Sequence, residues 1–77
     1  MTASVPTEFT PTDREREVIY GYANGLTDRE IAKVLGIKLG NAARIGYLMR
    51  LRMGAYTRSH AVALAYELGI LTVGGAK

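Results

Sequence analysis

The sequence predicts an all-α domain of four short helices. Three observations carry that prediction. Apolar residues recur at the three- and four-residue spacing of a helix face, two capping boxes stand ahead of such runs, and a glycine closes each run. No alternating apolar run bounded by hairpin turns signals a strand.

Residues 1–11 carry Pro6 and Pro11 with little pattern, and read as a flexible N-terminal arm. Phe9, the only Phe, is placed to fold back from this arm over the first helix. The domain itself is expected over residues 12–71. Thr12-Asp13-Arg14-Glu15 fits a capping box, in which the Thr hydroxyl and the Glu carboxylate each satisfy an orphan amide. Val18, Ile19 and Tyr22 follow, and Asn24-Gly25 supplies a left-handed stop, so the first helix runs from about Asp13 to Ala23. The alternating charges Arg14, Glu15, Arg16 and Glu17 read as a solvated helix start with local ion pairs.

Thr27-Asp28-Arg29-Glu30 is the second capping box. Ile31, Val34 and Leu35 lie behind it at helical spacing and Gly36 ends the run, giving a second helix over 28–35. Ile37 and Lys38 connect it to a third helix from about Gly40 to Arg52, closed by Gly54. A fourth runs from about Ser59 to Leu68 with Gly69 as its cap. The Gly-rich stretch 72–77 reads as a flexible tail.

Composition narrows the function. A chain of 77 residues makes one small domain, which buries only about 60% of its unfolded surface. With no cysteine there is no disulfide and no thiolate metal site, and the single His60 removes most zinc geometries; no metal and no cofactor are expected. His60 itself reads as a surface residue. No apolar run approaches the roughly 18 residues of a membrane span, and the N-terminus lacks the basic start and apolar stretch of a signal peptide. A soluble, cytoplasmic protein is expected. The enzyme reading fails on inventory, since the chain has no cysteine nucleophile, no phosphate-cradling glycine loop and no Ser/His/Asp set.

The net charge of +3 is unevenly spread. Residues 1–30 hold six acids and three bases, whereas Ile31 to Tyr66 hold Lys33, Lys38, Arg44, Arg50, Arg52 and Arg58 and no acid. Such a stretch suits a polyanion such as nucleic acid; it equally describes a basic face that keeps the protein soluble.

A short helix, a turn containing glycine and a second helix form a helix-turn-helix pattern, whose second helix enters the DNA major groove. Ala32 is small where the helices cross, Gly36 frees the turn, and Ile31, Leu35 and Ile37 point inward to meet Ala42 and Ile45.

The run Asp13-Arg-Glu-Arg-Glu-Val-Ile19, then Asn24-Gly-Leu-Thr-Asp-Arg-Glu-Ile-Ala-Lys-Val-Leu-Gly-Ile37, resembles the LuxR-type (GerE-like) DNA-binding domain. Met53-Gly54, Thr57-Arg58, Ala61-Val62 and Glu67-Leu-Gly-Ile-Leu71 extend the resemblance over about residues 12–71. It implies a four-helix fold that binds double-stranded DNA through its third helix, as a homodimer usually paired through its fourth. Ala61, Leu64, Ala65 and Leu68 would then form the dimer surface; the alternative is that they complete a monomeric core.

The third helix departs from the family. Where the family has Ser-Glu-Gly-Thr-Val-Lys, a polar residue, His and an apolar residue, this chain has Lys38-Leu39-Gly40-Asn41-Ala42-Ala43-Arg44-Ile45-Gly46. Lys38 loses the serine cap and sets a positive charge against the helix dipole. Ala43 replaces a base, Ile45 a histidine, and Gly46 a core leucine, the last costing about 1 kcal/mol in helix propensity. Projected at about 100° per residue, Ala42, Ile45, Gly46, Met49 and Met53 face the core; Ala43, Arg44, Tyr47, Leu48, Arg50 and Leu51 lie largely opposite.

Two readings follow. As a small transcriptional regulator, the chain would read base edges or phosphates with Asn41, Arg44 and Tyr47, and hold phosphates with Arg29, Lys33, Lys38, Arg50 and Arg58. As a protein-binding antagonist on the same scaffold, it would pair with a full-length relative through the fourth helix or grip another regulator through the altered third helix. Leu48 and Leu51 either pack beneath the fourth helix or a dimer mate, or face such a protein partner.

Overall fold

The computed structural model describes residues 9–73. The expected arm over 1–8 and the end of the tail, 74–77, lie outside the described residues. Four helices and no strand are present among the described residues: α1 (Asp13–Ala23), α2 (Asp28–Leu35), α3 (Leu39–Met53) and α4 (Arg58–Glu67).

Local chemistry fixes each end. In both capping boxes the exchange is complete: Thr12 Oγ1 accepts from the Glu15 amide at 3.1 Å while Glu15 Oε1 accepts from the Thr12 amide at 2.9 Å. Thr27 and Glu30 repeat the pattern at 3.1 and 2.8 Å. All four helices stop in the same way. At the end of α2, Gly36 is left-handed (φ 69°), which lets the Ile37 amide turn back to the Ala32 carbonyl at 3.0 Å. The equivalent bonds join Leu26 to Gly21, Ala55 to Arg50 and Ile70 to Ala65. α3 begins one residue earlier than its sequence suggested and without a side-chain cap, because the extended residue before it is Lys38. α4 is shifted one residue toward the N-terminus because the Thr57 hydroxyl accepts from the His60 amide at 3.0 Å.

The four helices share one core. Val18 and Ile19 of α1, Ile31 and Ala32 of α2, Met49 and Met53 of α3 and Ala61 and Leu64 of α4 are all buried in it, with Leu71 closing the far side. Phe9 packs against the core, in keeping with its expected return from the arm, and the Arg52 guanidinium lies 4.9 Å from its ring centroid while donating to the Thr10 carbonyl at 3.3 Å. One sequence reading needs correction here. Glu15 is not part of a solvated helix start. It is 7% exposed, and its second carboxylate oxygen accepts from Arg52 of α3. No helix among the described residues is long and apolar enough to cross a membrane.

Candidate nucleic-acid interface

α2, the turn at Gly36 and α3 pack as a pair around small side chains. Ala32 and Ala42 are both buried, and Ile37 and Ile45 are half-buried at the edges. α3 therefore shows the core one face, Ala42, Gly46, Met49 and Met53, and turns the other outward.

On the outward face Asn41, Arg44, Tyr47, Leu48 and Leu51 are exposed, and Ala43 is half-buried. The expectation that Leu48 and Leu51 pack beneath the fourth helix does not hold within one chain: they remain 43% and 59% exposed. Leu48 and Ile45 instead line an open, largely apolar groove beside Thr12–Glu15 at the start of α1.

The predicted phosphate-binding residues divide into two sets. Arg29, Lys33 and Lys38, like Arg44, are exposed and enter no ion pair among the described residues. Arg29 and Lys33 sit one turn apart on α2 and line a shallow cleft of about 350 Å³ with Ala32, Ile37 and Leu39. The cationic ridge of α2 thus adjoins the first residue of α3. Leu39 is exposed at this junction, a position that carried no site assignment in the sequence because it precedes the predicted start of the helix.

Arg50 and Arg58 belong to the other set. Arg50 Nη1 donates to the Tyr22 hydroxyl, and its guanidinium carbon lies 5.8 Å from the Tyr22 ring centroid. Arg58 donates to the Leu26 carbonyl at 2.7 Å, pairs with Asp28, and stands 4.5 Å from the same ring. Two guanidiniums therefore lie beside Tyr22, one at its hydroxyl and one nearer its ring, and Arg58 ties the start of α4 to the turn between α1 and α2. Their donors point into the protein rather than at a ligand. Burial pushes the Tyr22 phenol above its ordinary value of 10.0; Arg50 and Arg58 oppose the rise and Asp28 adds to it.

Gly46 has a local explanation. A Cβ built there would overlap the Tyr22 hydroxyl oxygen, so the phenol fills the room that a larger side chain would take. The packing expected to be missing at this position is supplied from α1.

On α4, Ala61, Leu64 and Ala65 lie inside the core of the single chain, which removes them from the dimer surface assigned in the sequence; Leu68 is half-buried. An alanine-rich stripe fits close packing by its own bundle as well as by a second copy, and here the bundle uses it. Ser59, Ala63, Tyr66 and Glu67 are what α4 leaves exposed. His60 braces the loop before α4, its Nδ1 accepting from the Tyr56 amide at 3.1 Å and its ring resting against Tyr56.

No protein-family model matches the chain, and neither the curated proteins nor the solved structures searched contain a match.

Proposed function

We propose that the chain is a small cytoplasmic transcriptional regulator of the LuxR-type helix-turn-helix class that binds double-stranded DNA with α3 in the major groove. One observation carries this reading. Arg44 stands outward on α3 with no ion-pair partner among the described residues, on a helix pair whose exposed charges from Ile31 onward, Lys33 and Lys38 among them, are all basic. Arg44 then pairs with guanine and Asn41 with adenine, while Arg29, Lys33 and Lys38 hold phosphates. A homodimer in this reading pairs through Ala63 and Tyr66 on the outer side of α4.

The test is selection from a random duplex pool across a salt series. An enriched motif whose affinity falls steeply with salt is expected, and a palindrome would indicate the dimer. Arg44→Ala should lose about 1–3 kcal/mol and relax one position of the motif, whereas Lys33→Ala should weaken all sequences alike and lower the salt slope by about one. Unchanged sequence preference in Arg44→Ala would refute that assignment.

A second reading has its own support. Tyr47, Leu48 and Leu51 form an exposed apolar stripe of the kind that a protein-binding antagonist would use. A folded chain that ignores every duplex at low salt would favour it.

A further inference from the structure

Arg44, Tyr47, Leu48 and Leu51 stand at i, i+3, i+4 and i+7, which makes them one stripe of α3. All four are exposed, with Tyr47 at 55% and Leu51 at 59%, and only Arg44 carries charge. Phosphates offer nothing to leucine. The base edges of the major groove do offer one apolar group, the 5-methyl of thymine. Cytosine presents an amino donor on its major-groove edge and the purines present N7, and burying those against leucine leaves them without a partner. The stripe therefore rewards thymine and penalises its alternatives.

Building on the DNA-binding reading above, we infer that α3 recognises thymine through its 5-methyl group, with Leu48, Leu51 and the ring of Tyr47 packed against these methyls and Arg44 on a guanine of the same site. Charge complementarity selects a duplex as the occupant of this apolar face. The exposed Arg29, Lys33 and Lys38 lie on the same helix pair, and no carboxylate side chain occurs from Ile31 to Tyr66; of the two acids beside the Leu48 groove, Glu15 is buried against Arg52 and Asp13 is exposed next to Arg14. Geometry sets the span. Seven residues of helix cover about 10 Å, or about three base steps at roughly 3.4 Å each. The thymines fall within about three steps of the guanine.

The experiment compares one selected duplex with a copy in which every thymine is replaced by deoxyuridine, which keeps Watson–Crick pairing and removes only the methyls. Binding is read by fluorescence anisotropy at a fixed salt concentration. Affinity should fall about fourfold for each contacted methyl lost. The ratio between the two duplexes should shrink toward one in Leu51→Ala and in Leu48→Ala, both exposed positions. Equal binding of both duplexes by the wild-type chain overturns thymine reading and leaves DNA binding standing. A ratio that survives in both leucine variants also overturns it, because the methyls would then act through DNA shape. A folded chain that binds no duplex overturns the DNA reading itself, and this inference with it.

Discussion

The hydroxyl of Tyr22 on α1 occupies the space that a side chain at position 46 of α3 would fill, and Arg50, one turn further along α3, donates a hydrogen bond to it. A glycine in mid-helix is thereby matched to a phenol 24 positions earlier in the chain (46 minus 22). The pairing holds the outward-facing helix against the first one.

Gly46→Ala should therefore destabilise the wild-type chain. Overpacking costs about 1–3 kcal/mol, against roughly 1 kcal/mol gained in helix propensity, for an expected net loss of up to about 2 kcal/mol. In a Tyr22→Phe background the nearest ring atom, Tyr22 Cζ, lies at 3.4 Å, an ordinary contact. There the same alanine should be neutral or stabilising by up to about 1 kcal/mol. Urea midpoints of the four proteins give the coupling; strictly additive changes would show that the two positions are independent.

Alkaline pH should loosen the same junction. Burial raises the folded-state pKa of Tyr22 above the 10.0 at which it titrates when unfolded. Its contribution to stability is thus present in full below pH 10 and is lost as pH rises through the folded value. Urea stability of the wild-type chain should fall with pH above 10 more steeply than that of Tyr22→Phe. Parallel slopes would mean that the phenol ionises freely.

The two capping boxes offer an internal comparison. Glu15 and Glu30 each accept from the cap amide at their helix starts; Glu30 also accepts from the Thr27 hydroxyl, and Glu15 pairs with Arg52 across 37 positions. Removing a box should cost about 0.5–1 kcal/mol, which is the expected loss for Glu30→Ala. Glu15→Ala should cost about 2 kcal/mol, the half-exposed Arg52 limiting what the ion pair adds. Equal losses in thermal unfolding would leave the cross-helix pair without energetic weight.

Much of the fold is legible in the sequence because its signals are local. Thr12 with Glu15, Thr27 with Glu30, and the glycines at 25, 36, 54 and 69 act within five residues of themselves, and they set the helix ends to within one residue. The candidate site is less legible. Arginines look alike until the helices are packed: Arg44 enters no ion pair among the described residues, whereas Arg50 and Arg58 are drawn onto Tyr22, Leu26 and Asp28 by contacts about 30 positions away in the chain. The alanines of α4 are ambiguous for a related reason. Small residues mark close approach without saying whose helix approaches, and only the assembled core shows that Ala61 and Ala65 belong to it.

Among the described residues, the side-chain hydrogen bonds from α3 to the rest of the chain come from one end only. Arg50 and Arg52 fasten its last turns to Tyr22 and Glu15, whereas its first turn follows an uncapped Lys38 with no acidic residue to oppose the helix dipole. Its opening fluctuations are therefore graded along its length. Amide protons near Leu39 and Gly40 should exchange with solvent ahead of those near Met49, so the end of α3 beside Arg29 and Lys33 keeps the most conformational freedom to lose on any contact.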